Sequence, residues 1–239
     1  MNLNILAIDT SGPSAGAAVL RGGEILSEIF LNNGLTHSQT VMPAAEDALE
    51  KAGLTPGEID LFACVVGPGS FTGVRIGACA VRGMAHAAGK TCAPVDALEA
   101  IAHGAWGFGG VVCPMLDARR DQVYAAAFRA GERPVRILPD EALSIGEFFE
   151  KLPEGEKLLF LGEAAPIHEK EIKARFGDRA QVGPAHLLHV KPSAAADLAL
   201  RMDESEYVAP EMLLPLYLRA PSAEREREAR LRMEAEKAK

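Results

Sequence analysis

The strongest constraint on this chain's fold is an order of apolar segments that occurs twice. Leu3 to Ile8 is a short apolar run closed by Asp9-Thr10-Ser11-Gly12-Pro13, and a run of that length bounded by turn residues reads as a buried strand. Gly16 to Leu20 and Glu24 to Phe30 read as two further strands, joined by Arg21-Gly22-Gly23 in a tight hairpin. From Ser38 the period changes: Val41, Ala45, Ala48, Leu49 and Ala52 recur at helical spacing, and Gly53 ends the run. Leu61 to Val66 is a strand, Gly67-Pro68-Gly69-Ser70 turns into a helix reaching Ala88, Thr91 to Val95 is a strand, and Asp96 to His103 a helix. The second half runs through the same order. Val111 to Leu116, Val123 to Phe128 and Val135 to Leu138 read as strands, Ser144 to Lys151 as a helix, Leu158 to Leu161 as a strand and Ile167 to Phe176 as a helix. A weak strand at Gln181-Val182 and a helix from Ser193 to Met202 complete it. Two such series predict a two-lobed α/β protein. The halves share little residue identity, so only the order repeats.

Composition narrows the function classes. With 239 residues, 48% hydrophobic and 24% charged, the chain can bury a real core, and 5% aromatics make that core mostly aliphatic. The net charge of -8 argues against tight autonomous binding to nucleic acid, which needs Lys and Arg to displace counterions, and against docking on anionic lipid. Cys64, Cys79, Cys92 and Cys113 form no zinc-type spacing and read as reduced, buried thiols. No window reaches transmembrane length. Together these features point to the cytoplasm. From residue 220 the chain becomes a run of alternating Glu and Arg, expected to be a solvated helix or a disordered tail.

The sharpest local signal is Val65-Val66-Gly67-Pro68-Gly69-Ser70-Phe71-Thr72-Gly73-Val74-Arg75-Ile76-Gly77. A buried strand delivers a Gly-rich turn into a helix, with Ser70 placed as N-cap. Such a helix start offers free backbone N–H groups to an anion. The spacing of Gly67, Gly69 and Gly73 matches neither the dinucleotide nor the Walker fingerprint, so a plain capped turn stands beside the anion site. Asp9 and Asp117 close equivalent strands of the two halves. They read either as turn residues capping their own backbone or as a pair facing across a cleft to hold a magnesium-bound phosphate. Small residues recur on the helix after the turn, at Gly73, Gly77, Ala80 and Ala85, and the helix from Ser38 is Ala-rich. Glycine inside a helix costs about 1 kcal/mol against Ala, so close approach of another backbone is expected, either within the chain or from a partner. The histidines, His186 and His189 included, form no metal set.

The element order, together with Ile8-Asp9-Thr10-Ser11, Thr36-His37-Ser38, the Gly67 to Gly77 segment, Leu116-Asp117-Ala118-Arg119 and Pro215-Leu216-Tyr217-Leu218-Arg219, resembles the bacterial TsaB family over residues 3 to 219. That family supplies the dimerisation subunit of the tRNA threonylcarbamoyladenosine system. The resemblance implies the actin/hexokinase/Hsp70-like fold, each lobe a five-stranded mixed sheet flanked by helices. It places a first lobe at 1–103, a second at 104–219 and a tail at 220–239. The catalytic paralogue, TsaD, carries a His-Met-Glu-Gly-His-type metal motif after a Pro-Val pair. The matching stretch here is Pro94-Val95-Asp96-Ala97-Leu98-Glu99-Ala100-Ile101, with Ala97 and Ile101 at the two ligand positions. Neither side chain has a lone pair to give a metal.

The implied function is therefore a non-catalytic scaffold that pairs with TsaD. With the ATPase TsaE, it would support transfer of a threonylcarbamoyl group to the tRNA adenosine next to the anticodon. No cofactor is expected for this chain, ATP and magnesium entering only within the complex, and tRNA is met indirectly. Pairing in this family uses first-lobe helices, which map here to His37, Ser38, Val41, Ala45, Ala48, Phe71, Val74, Gly77, Ala78 and Val81. The same surface would serve a homodimer. Asp9, Thr10, Ser11, Gly67, Gly69, Ser70 and Asp117 are expected as a vestigial phosphate site, beside the plain-turn reading. Two enzyme readings stand as alternatives: an ATP-dependent small-molecule kinase using Asp9 and Asp117, and a metalloprotease.

Overall fold

A computed structural model describes residues 2–219. The charged helical or disordered tail expected at 220–239 lies outside the described residues. The first sheet contains β1 (Asn4–Asp9), β2 (Ala15–Arg21), β3 (Glu24–Leu31), β4 (Leu61–Gly67) and β5 (Thr91–Asp96) in the order β3-β2-β1-β4-β5. β1, β2 and β3 pair antiparallel, and β1, β4 and β5 pair parallel. The second sheet repeats this with β6 (Val111–Asp117), β7 (Gln122–Arg129), β8 (Val135–Ser144), β9 (Leu158–Leu161) and β10 (Ala180–Val182). Here β6, β7 and β8 are antiparallel, and β6, β9 and β10 parallel. Each lobe is thus a five-stranded mixed sheet with its first strand at the centre, the actin/hexokinase/Hsp70-like arrangement.

The layers follow from which faces are apolar. α1 (His37–Ala52) and α2 (Phe71–Ala88) cover one face of the first sheet through Val41, Ala45, Ala48, Val81 and Ala85, packed on Leu6, Ile8 and Phe62. α3 (Ala97–His103) and α6 (Pro192–Arg201) lie between the two sheets in one shared core with Val65, Leu116 and Phe128. α4 (Ile145–Lys151) and α5 (Glu169–Phe176) cover the far face of the second sheet, around the ring cluster of Phe149, Phe160 and Phe176. Each large side chain buried this way contributes about 1.5–3 kcal/mol. His103 and Asp197 tie α3 to α6 at 2.6 Å, and that bond, with Arg201 beside it, holds the Asp197 carboxyl down at about 2.

Three expectations need correction. β8 continues to Ser144 rather than stopping at Leu138. Pro139 suggests a stop, but β8 is an edge strand where a missing N–H is tolerated. The second lobe does not hold everything after residue 104. α6 packs on the first sheet, and Val208 pairs antiparallel with Cys92, each N–H bonding the other's carbonyl at 2.8 Å. Cys64, Cys92 and Cys113 are buried, but Cys79 is exposed, because its position on α2 points away from the sheet.

Candidate functional site

The carboxyl ends of both sets of parallel strands open onto a cleft of about 820 Å³ between the lobes. This is where ligands bind in open α/β sheets. Its first-lobe wall is built by a close crossing. The chain leaving β1 runs directly over the start of α2. Ser70 N–H donates to the Ser11 carbonyl at 2.7 Å, and Thr10 Oγ1 donates to the Gly73 carbonyl at 2.7 Å. A Cβ on Gly69 would lie 2.2 Å from Ser11 O, and one on Gly73 would lie 2.1 Å from Thr10 O. At Gly77 the added carbon would meet Thr10 Oγ1 at 2.4 Å. The glycine pattern is therefore demanded by an internal contact. Ser70 caps α2 as expected, accepting from Gly73 N–H at 3.2 Å.

The residues expected at the phosphate site gather at this end of the cleft. Ser11, Gly69, Ser70 and Asp117 line it, while Asp9, Thr10 and Gly67 lie behind them, buried. Asp9 and Asp117 end equivalent central strands, but their surroundings differ. Asp9 is 1% exposed, and burial pushes its carboxyl up to about 6 against the hydrogen bonds it accepts from Ser11 N–H (2.9 Å) and Oγ (2.6 Å). Asp117 is exposed and accepts from Arg119 N–H at 2.7 Å.

Sequence reasoning missed Glu163 as a cleft residue. Its Oε1 accepts Asp117 N–H at 3.3 Å, and its buried Oε2 has no hydrogen-bond partner. Burial first, then the charges of Asp117 and Asp9, pushes it up to about 7. A signal was present in the repeat. Gly162 follows the fourth strand of its lobe as Gly67 ends the fourth strand of the other, and both have positive φ, +89° and +120°.

The expected partner residues fall into two groups. His37 and Phe71 sit at the cleft, His37 Nε2 bonding the Gly12 carbonyl at 2.9 Å and the Phe71 ring packing tilted against that of Tyr217 at 4.9 Å between centroids. Ser38 is exposed at the start of α1. Val41, Ala45, Ala48, Val74, Gly77, Ala78 and Val81 are buried against the chain's own sheet and present nothing to a partner. The reason is the helical period: these positions are the core-facing stripe. Outward, α1 and α2 leave an apolar groove of about 530 Å³ lined by Met42, Cys79, Gly83, Met84 and Ala87. α3, with Ala97 and Ile101 at 0% and 3% exposure, lies on the opposite face of the first sheet from that groove. Among the described residues no group of His, Cys, Asp and Glu is arranged to hold a metal, and no helix is long and apolar enough to cross a membrane.

Comparison with known proteins agrees with the geometry. The family model described as "TsaD: tRNA N6-adenosine threonylcarbamoyltransferase" matches residues 24–226. The Bacillus subtilis protein named tRNA threonylcarbamoyladenosine biosynthesis protein TsaB is 32% identical over 93% of this chain and 96% of its own length. Its namesake from Haemophilus influenzae is 35% identical over 62% of this chain and 60% of its own length. The solved structure of YeaZ from Pseudomonas aeruginosa superposes with a TM-score of 0.74 at 26% identity, covering 90% of this chain and all of that one. With the sequence match running through both lobes, the chain belongs to the TsaB family of tRNA threonylcarbamoyladenosine biosynthesis proteins.

Proposed function

We propose that the chain is a non-catalytic subunit that pairs with a TsaD-type transferase, and that the outer faces of α1 and α2 form the pairing surface. The observation carrying this reading is the groove between those helices. Met42 is 47% exposed there, and Cys79, Gly83 and Ala87 set a line of small residues along α2 that the chain's own core does not require. A smooth apolar strip of this kind lets a second helical surface approach closely. Ala97 and Ile101 support the non-catalytic part, since aliphatic side chains packed between two sheets can hold no metal. Within the assembly, a TsaE-type ATPase joins the pair, ATP and magnesium enter with it, and the net charge of -8 leaves tRNA contact to other subunits. The same strip serves a homodimer when the partner is absent.

Co-purification with a TsaD-type subunit tests the pairing, and Gly83→Leu tests the surface. A Cβ at Gly83 meets nothing within 4 Å and the position is exposed, so the variant should fold normally yet lose the partner. Failure of the parent chain to co-purify refutes the pairing. Native affinity in the folded variant refutes the surface, and transferase activity of the isolated chain refutes the non-catalytic role.

A further inference from the structure

The last described segment of the chain crosses the mouth of the cleft and is bonded on both sides of it. On the first lobe, Leu213 is fully buried among Leu6-side core residues, and Leu216 N–H donates to the Val66 carbonyl at 2.8 Å. The segment runs so close to the Gly-rich turn that a Cβ on Gly67 would stand 2.7 Å from Leu216 O. The Tyr217 ring packs tilted against Phe71, and its hydroxyl accepts from Arg75 Nε at 2.6 Å. Two residues later the segment reaches the other lobe, where Arg219 Nη1 donates to the Ala118 carbonyl at 2.9 Å. That carbonyl belongs to the β6–β7 hairpin. The hairpin's next three residues, Arg119, Arg120 and Asp121, all have positive φ between 56° and 64°. That conformation is uncommon for non-glycine residues, and here the turn is closed by Ala118 N–H donating to the Gln122 carbonyl at 3.0 Å.

α3 and α6 join the lobes through the shared core behind the cleft. A two-lobed protein joined on one side only can open on the other by hinge motion. We propose that residues 213–219 are a clasp closing that free side, anchored in the first lobe by Leu213 and Leu216 and in the second by Arg219. The clasp holds the lobes at one angle. The chain then presents a fixed cleft and a fixed outer surface, instead of cycling between open and closed forms.

The lobe angle is read directly by the distance between spin labels on Leu35→Cys and Ile167→Cys, which flank the cleft at exposed positions, in a Cys79→Ser background. The full chain should give one narrow distribution. A chain ending at Pro215, and Arg219→Ala in the full chain, should each broaden it by about twofold or more, as expected for a released hinge. A chain ending at Arg219 should keep the narrow distribution. The proposal is overturned if Arg219→Ala leaves the width unchanged, or if removing 220–239 alone broadens it as much as ending at Pro215. Because Arg219→Ala removes only a contact at the edge of the fold, it decides the question even where the shorter chain does not fold.

Discussion

Two glycines on one helix should respond to the same substitution in opposite directions. Gly77 and Gly83 both lie inside α2, where replacing Gly by Ala gains about 1 kcal/mol of helix propensity. At Gly83 nothing lies within 4 Å of the new methyl, so Gly83→Ala should realise that gain of about 1 kcal/mol. At Gly77 the methyl meets Thr10 Oγ1 at 2.4 Å. Thr10 is fully buried, and its hydroxyl is engaged with the Gly73 carbonyl. Relief means either shifting the strand exit off α2, at about 1–3 kcal/mol for overpacking, or also breaking that buried bond, at about another 1–3 kcal/mol. Set against the propensity gain, Gly77→Ala should lose up to about 5 kcal/mol and gain nothing. Urea denaturation of both variants and the parent, with unchanged slopes, gives the comparison. If Gly77→Ala moves the midpoint upward with Gly83→Ala, the close crossing of Thr10 over α2 is not what the glycine is there for.

Other expectations follow from the same geometry. Burial raises the Glu163 carboxyl to about 7, so the folded state holds a proton that the unfolded state releases; that contribution is full at low pH and is lost as pH rises from about 4.5 to about 7. Glu163→Gln should flatten this fall, and urea midpoints at pH 5 and pH 8 that drop equally in both proteins refute it. Placing histidines at Ala97 and Ile101 should not build a metal site but should lower stability by about 2–5 kcal/mol, since both side chains lie in the core between the sheets; recovery of that loss on zinc titration contradicts the burial argument. A thiol reagent should modify Cys79 alone on the folded chain, because Cys64, Cys92 and Cys113 are buried and their thiols are pushed up by desolvation. The pairing proposal adds that a TsaD-type partner should protect Cys79, and an unchanged labelling rate in the complex counts against it.

The architecture was legible because strand and helix periods are encoded locally and the series is spelled twice. Asp9, Ser70 and Asp117 were legible for the same reason, each standing where an apolar run meets a turn. The path after residue 202 was not. Pro210 and Pro215 break any period, and the segment is held by backbone bonds to Cys92 and Val66, which leave no trace in side-chain pattern. Within the apolar run Met212-Leu213-Leu214 only Leu213 is buried, and nothing in the sequence tells it from its two exposed neighbours. Glu163 was obscured because its environment is made by Asp117 from another strand of its lobe and Asp9 from the other lobe. A carboxylate raised by burial looks in sequence like any surface acid.

The expected partner residues on α2, Val74, Gly77, Ala78 and Val81, face the core, and the reason lies in the pattern of α2 itself. The helix carries small residues along two lines. One runs through Gly73 and Gly77 to Ala85, and the other through Cys79, Gly83 and Ala87. In a sequence both lines read as sites of close approach, and helical period alone does not say which faces inward. The structure separates them by their causes. The first line is fully accounted for by the Thr10–Ser11 crossing and the sheet beneath, where a single methyl would collide. On the second, the chain requires nothing small at Gly83, since an added Cβ there meets open space. Glycine in an exposed helix interior carries the same propensity cost of about 1 kcal/mol whichever way it faces. A cost with an internal cause says nothing about partners. A cost without one, beside exposed Met42 and Cys79, is where an external cause has to be sought.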